Sequence, residues 1–259
     1  MVSNNSSLLG ATGKKQLLQE FKIVADRETP PASSLRGLKY SFSQWLCLNG
    51  TSLMQRLGYN QKKILAMTNK LANKPIILNI GCLEQVNNNY VNADMVPFGG
   101  IRSFFNFILG KTKLNYDLLI NIAFYDQYLL EFADGIILSH VLEHIHPLLA
   151  ITALKNCFAY LKQERAIRIS VPYLGRFEQP DFPINFPDCQ IHNCMLAKNN
   201  VIYGYGHQFM YDAELLNLLM EEAGFSEVKE VAFGEGLLGE TDPPERKPRS
   251  IYLTGIKKT

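Results

Sequence analysis

From residue 76 onward the chain repeats one pattern: a short, almost wholly apolar run, an abrupt stop, then a helical spacing. Ile76-Ile77-Leu78-Asn79-Ile80 stops at Gly81, and Tyr90-Val91-Asn92-Ala93 stops at Asp94. Tyr116-Asp117-Leu118-Leu119-Ile120, Gly135-Ile136-Ile137-Leu138-Ser139 and Ala166-Ile167-Arg168-Ile169-Ser170-Val171 follow. Near-continuous hydrophobicity over so few residues is what a strand covered on both faces requires. Between these runs, residues 147–162 carry Leu148, Ile151, Leu154, Phe158 and Leu161 at helical spacing. Asp212 is placed to cap a helix with Leu215, Leu216, Leu219 and Met220 on one face and Gly224 at its end. Alternating strands and helices predict a parallel sheet with right-handed crossovers. Two last strands, Val228 to Phe233 and Ile251 to Ile256, have no helix between them, so they predict an antiparallel pair at one edge. The stretch from Gly81 to Tyr90 is shorter than the dozen or so residues of an ordinary parallel crossover, and a loop is expected there.

Residues 1–75 have a different character. The first twelve are small and polar and are expected to be disordered. Leu17, Leu18, Phe21, Val24 and Ala25 form one helical stripe, Thr29-Pro30-Pro31 breaks it, and helices are expected near 41–56 and 61–72 with Gly58 and Asn60 between them. We therefore expect a basic helical annex over 1–75 and an α/β domain over 76–259. Residues 174–208 show no period but carry three prolines and five aromatics, the make-up of an ordered lid or substrate segment.

The charge is uneven. Residues 1–75 hold eleven Lys/Arg against three Asp/Glu, whereas 76–259 hold fifteen against twenty-one. The basic part reads either as an ordinary solvated face or as a contact for an anionic surface, with peripheral membrane contact through the helix at 14–25 as one form of it. Basic and aromatic residues do not interleave there, which disfavours nucleic acid. No stretch approaches eighteen consecutive apolar residues, so no spanning helix is expected. Five scattered cysteines suggest reduced thiols and a cytoplasmic setting rather than a disulfide framework. Neither Cys189/His192/Cys194 nor His144/His146 has the paired spacing of a structural zinc site, and no metal is expected. A dinucleotide fingerprint and a serine nucleophile elbow are both missing from the sequence.

Ligands of such sheets bind beyond the strand C-termini. Gly81 would let a ligand approach the backbone, and a carboxylate at Asp94 can accept hydrogen bonds from a sugar diol. After the fourth strand comes Ser139-His140-Val141-Leu142-Glu143-His144-Ile145-His146-Pro147, three histidines and a glutamate at a strand end. Imidazole is the side chain suited to taking a proton near neutral pH, with His140 ranked above His144 and Glu143 as a further base. His207, near Tyr205 and Tyr211, could reach the same mouth.

Taken in order, Leu78-Asn79-Ile80-Gly81-Cys82, the Asn-x-Asp-x-x-Pro at 92–97, Ser-His-Val-Leu-Glu-His at 139–144 and Arg-Ile-Ser-Val-Pro at 168–172 resemble the small class I S-adenosylmethionine-dependent methyltransferases. Tyr211-Asp212 with Glu222-Ala223-Gly224-Phe225 extends the likeness, which spans roughly 76–258. The resemblance implies a three-layer Rossmann-like sandwich with a seven-stranded, mostly parallel sheet and one reversed strand. It implies S-adenosylmethionine as cofactor, held by Asn79, Gly81, Cys82, Asp94, Asp117 (near adenine), Leu118 and His140. It also implies methyl transfer in line to an acceptor, with His140, His144 and Glu143 as catalytic candidates and Tyr205, His207 and Tyr211 on the acceptor side. By analogy the acceptor is a small molecule or saccharide. This chain departs from the family pattern at Leu83, where Gly is usual, and at Gln163-Glu164-Arg165, where a Gly-Gly turn is usual. A domain of this fold that binds or scaffolds without catalysing is the alternative.

Overall fold

The structure, a computed structural model, describes residues 35–71, 74–83, 85–96, 101–179 and 191–258, together with 13, 15, 16, 18–20 and 22. The first twelve residues, the linker at 29–34 and the proline-rich stretch at 180–190 lie outside the described residues.

Seven strands form one sheet: β1 (Ile77–Ile80), β2 (Val91–Asp94), β3 (Leu118–Leu119), β4 (Ala133–Ser139), β5 (Leu161–Pro172), β6 (Ser226–Val231) and β7 (Ser250–Lys257). Their order is β3-β2-β1-β4-β5-β7-β6. β1, β2, β3, β4 and β5 run parallel, and β7 lies antiparallel to both β5 and β6. The apolar runs behave as their composition requires: Leu78, Ala93, Leu118, Ile136, Leu138, Ile167, Ile169 and Leu253 are fully buried. Among the described residues, the unit that holds the sheet also holds the helices α1 (Leu35–Arg56), α2 (Gln61–Lys70), α3 (Ile101–Ile108), α4 (Pro147–Tyr160) and α6 (Ala213–Glu222), and the other unit holds α5 (Cys194–Tyr203). Asp212 caps α6 as expected, accepting from the Leu215 N–H at 2.9 Å.

The β1–β2 crossover holds no helix among its described residues. Asn92 organises it. Its buried amide accepts from Asn79 Nδ2 (3.1 Å) and from the Asn87 N–H (3.0 Å), and donates to the Asn87 carbonyl (2.8 Å). One side chain thereby pairs backbone groups that a helix would otherwise have satisfied internally.

The compact units do not divide at 75/76. The larger comprises Pro30–Tyr173 and Gln208–Thr259, so α1 and α2 belong with the sheet. The physical reason is the shortness of β3. An edge strand of two residues leaves backbone groups unpaired, and the α1–α2 corner pairs them. Asn60, fully buried, donates to the Leu119 carbonyl (2.8 Å), accepts from the Leu119 N–H (3.1 Å) and donates to Asp126 Oδ2 (2.9 Å). Gln55 accepts from the Asn121 N–H (2.9 Å), and Thr51 Oγ1 accepts from the Val96 N–H (3.0 Å).

The smaller unit comprises Met1–Thr29 and Leu174–His207. The stretch expected to lack regular structure contains α5. Asn193 caps it, accepting from the Leu196 N–H at 3.1 Å. The buried carboxylate of Glu20 accepts from the N–H groups of His192 (3.1 Å) and Asn193 (3.0 Å), tying Glu20 to the start of α5.

Replacing Asn60 by Ala would strand both backbone groups of Leu119. We expect Asn60→Ala to lower stability by about 2–4 kcal/mol in urea unfolding. A loss under about 1 kcal/mol would show that water reaches this edge and repairs it.

Candidate functional site

A cavity of about 600 Å³ opens in the larger unit at the C-terminal ends of the parallel strands, a volume typical of small-molecule sites. Ile80 ends β1 and Gly81 follows it, Asp94 ends β2 and Met95 follows it, Ile120 to Phe124 follow β3, and Val141, His144, Ile145 and His146 follow β4. Leu48, Asn49, Ser52, Leu53 and Arg56 of α1 form the opposite wall, with Gln208 also at the rim.

Two positions set the floor. Gly81 has φ +74°, and a Cβ there would lie 2.3 Å from Val141 Cγ2. Both the backbone angle and the space exclude a side chain. Asp94 uses one carboxylate oxygen for the Leu83 N–H (2.7 Å) and the other for the Met95 N–H (2.7 Å). Each oxygen keeps a further lone pair. Burial raises the Asp94 pKa above the usual carboxylate value, and the two N–H groups only partly counter it.

Leu83 does not plug the cavity. Its side chain is 69% exposed and is not part of the lining. Its backbone is left-handed, φ +43°, the conformation that glycine adopts without strain. The second departure behaves alike: Glu164 has φ +58°. The fold keeps glycine-type geometry at both positions although neither residue is glycine.

The remaining candidate residues separate into those on the cavity and those off it. His144 and His146 stand on its wall, His146 also capping α4 by accepting from the Leu148 N–H at 3.3 Å. His140, ranked first from the sequence, is not among the lining residues. Its φ of +58° places the ring between β7 and the segment 244–249. The guanidinium of Arg246 can only donate, so the contact of Arg246 Nη1 with Nδ1 (3.2 Å) makes Nδ1 the acceptor. Nε2 therefore carries the proton and donates to Ser250 Oγ at 2.6 Å. Glu143 Oε1 lies 3.3 Å from the same Nδ1 and is fully buried. A carboxylate there favours imidazolium, but burial, then Arg246, then Arg249 outweigh it and push the His140 pKa down to about 2.

Asp117 is a correction to the expected adenine contact. It precedes β3, at the N-terminal end of the strand, where Oδ2 accepts from the Asn92 N–H (2.9 Å) and the residue borders a separate hollow of about 210 Å³. The first polar residue beyond the C-terminal end of β3 is Asn121. Its Nδ2 donates to Ser52 Oγ (3.1 Å) and it lines the cavity. Leu118 and Cys82 are core residues, the Cys82 thiol pushed up to about 12 chiefly by burial. Asn79 serves the crossover through Asn92. Tyr211 is buried against Phe209 (5.1 Å between ring centroids), and burial followed by the charge of Glu143 pushes its hydroxyl up to about 12. Tyr205 and His207 stack on each other in the smaller unit (5.8 Å). Sequence reasoning missed the α1 wall, although Asn49, Ser52 and Arg56 share one helical face. It also missed Asn121, which the rule about strand C-termini would have selected over Asp117.

Two outcomes follow. Leu83→Gly relieves a left-handed leucine at the expense of a more flexible unfolded chain. We expect stability unchanged or raised by up to about 1 kcal/mol in urea unfolding; a loss of that size would mean that the leucine side chain packs. His140 should stay neutral in the folded protein. The unfolded ring binds a proton near 6.5 and the folded ring does not. Its contribution to stability is thus complete above that pH and is lost as pH falls toward 2, by up to about 1.4 kcal/mol per pH unit. Nitrogen-detected NMR titration should show an Nε2–H ring with no midpoint near 6.5, and such a midpoint would contradict the buried assignment.

No family model matches the sequence, and no curated protein matches it. Solved structures do resemble it. A methyltransferase from Archaeoglobus fulgidus shares 17% identity over 78% of this chain and 99% of its own, with TM-score 0.41. One from Thermotoga maritima shares 15% over 84% and 95%, with TM-score 0.43. PigF, solved with S-adenosylhomocysteine, shares 15% over 71% of this chain and 56% of its own, with TM-score 0.42. The fold assignment rests instead on the sheet itself. With strand order β3-β2-β1-β4-β5-β7-β6 and β7 alone reversed, the chain has the class I S-adenosylmethionine-dependent methyltransferase fold.

Proposed function

We propose that this chain transfers a methyl group from S-adenosylmethionine to a small-molecule or saccharide acceptor. The observation that carries the reading is Asp94: a carboxylate at the end of β2, oriented by two backbone N–H groups and facing a cavity of about 600 Å³. A donor with a ribose diol fits such a carboxylate, and Gly81, which has no room for a side chain, fits close backbone approach by its amino-acid portion. When bound, the cofactor supplies a methyl group on a sulfonium, already a good leaving group.

The tasks left to the protein are orientation and water exclusion. Ile120, Ile122, Ile145 and Leu149 give the cavity apolar walls, and α1 closes the side opposite the strand ends. Of the three histidines we assign the proton-accepting role to His144, supported by its position on the wall. His140 has both ring nitrogens engaged, and its low basicity makes it a poor base. In this reading His140, Glu143 and Arg246 fix the turn after β4 that carries His144. A non-catalytic domain would be favoured by a Leu83 side chain that blocked the cavity, and that side chain is exposed and outside the lining.

Calorimetry with S-adenosylhomocysteine tests the proposal. Wild type should bind in the micromolar range, Asp94→Ala should bind at least tenfold more weakly, on the scale of losing one or two hydrogen bonds to a charged group, and Leu83→Gly should bind about as wild type. No heat and no thermal shift with wild type at saturating ligand would leave the domain as a scaffold. A gain of tenfold or more in Leu83→Gly would mean that Leu83 obstructs the site.

A further inference from the structure

The outward face of α1 is unusual for a protein surface. Leu38, Phe42 and Trp45 follow one another at i, i+4 and i+7, so they lie on one side of the helix. They are 58%, 51% and 57% exposed, and the rings of Phe42 and Trp45 stack at 6.0 Å. α3 packs beside α1 and, together with the residue that follows it, presents a second exposed set at i, i+3 and i+4, namely Phe105, Ile108 and Leu109. Isolated exposed apolar residues need no explanation, but ordered stripes on two adjacent helices do.

The surrounding charge selects the partner. Between residues 35 and 116 the chain holds ten Lys/Arg and only two acidic residues, Glu84 and Asp94. Asp94 is turned to the cavity and its carboxylate holds two backbone N–H groups. Lys39, Arg56, Arg102, Lys111 and Lys113 are exposed on or next to the two helices. Aromatic and aliphatic side chains projecting from a basic surface match a bilayer with anionic headgroups, where the apolar groups enter the interface and the cations meet phosphate. A second copy of the same surface would set like charges against each other.

The stripe also leads somewhere. Continuing from Trp45 by the same helical steps gives Asn49, Ser52 and Arg56, all on the cavity wall. One turn of helix, about 5 Å, separates the exposed apolar face from the cavity-facing one.

We propose that the outer face of α1, with α3 beside it, docks on an anionic lipid bilayer and brings the mouth of the cavity to the membrane surface. The docking does not depend on methyl transfer. Only its use, delivery of an acceptor that resides in or on a membrane, rests on the function proposed above.

Trp45 is the single tryptophan of the chain, which therefore carries its own probe at the centre of the patch. Adding vesicles of phosphatidylcholine with phosphatidylglycerol should shift its emission to the blue, and brominated lipid should quench it. Flotation should recover the protein with these vesicles and not with phosphatidylcholine alone. Lys39→Glu and Arg102→Glu should each weaken binding about fivefold. Phe42→Asp, at an exposed position, should abolish it while leaving circular dichroism and S-adenosylhomocysteine binding unchanged. Three results would overturn the proposal: no shift and no flotation with anionic vesicles, equal binding to neutral ones, or a blue shift that grows with protein concentration alone and reports a second copy on this face. The readouts need no catalysis, so loss of cofactor binding in wild type would defeat the methyltransferase reading and leave this one standing.

Discussion

The site depends on the way one asparagine finishes the sheet. β3 has two residues, too few to satisfy an edge, and the buried amide of Asn60 meets both the N–H and the carbonyl of Leu119. A side-chain amide has the same donor and acceptor as a peptide group, so Asn60 acts as one residue of an eighth strand. The consequence is positional. Fixing the α1–α2 corner to β3 holds α1 across the strand ends, where Gln55 and Ser52 engage Asn121. The cavity exists because a helix from outside the strand-and-helix repeat is bound to the edge of the sheet.

That explains what the sequence could and could not disclose. Strands buried on both faces announce themselves by composition, and each of the seven was found within a few residues of its place. The reversed edge pair was legible from the missing helix between the last two runs. The attachment of α1–α2 to the sheet was not legible because it is polar and long-range: Asn60 and Leu119 stand 59 positions apart, and neither residue type signals the pairing. α3 and α5 escaped notice because Pro97, Gly99, Gly100 and Gly110 flank the first and Gly204 and Gly206 follow the second. Within the site, Gly81 and Asp94 were legible because a strand end limits which residues can meet a ligand. Asp117 misled because an acidic residue next to an apolar run looks the same at either end of a strand, and only the direction of the chain separates ligand side from blind side.

Backbone geometry adds a constraint that residue identity obscures. Leu83, Glu164 and His140 all have positive φ. A left-handed conformation costs a side-chain-bearing residue about 1–2 kcal/mol, so three such positions persist only because their surroundings hold them there. At Leu83 the hold is the hydrogen bond from its N–H to Asp94, the carboxylate on which the ligand reading rests. The glycine usual in the family that the sequence resembles is thus a convenience for the loop and not a condition for it. What the loop needs is an N–H in the right place, and every residue but proline supplies one.

His140 carries the same logic one step further. Its positive φ turns the ring away from the cavity and into a buried cluster with Arg246, Glu143 and Ser250. A histidine that must stay neutral is expensive to keep near a carboxylate and useless as a base, yet it joins β4 to β7 and to the segment 244–249. The cost is reasonable only if the turn that follows has to be rigid. That turn delivers Val141 against Gly81 on one side and His144 to the cavity on the other. Three histidines in seven residues therefore divide their labour by direction. His140 faces inward to fix the turn, His144 faces the cavity, and His146 gives its Nδ1 to the Leu148 N–H at the start of α4.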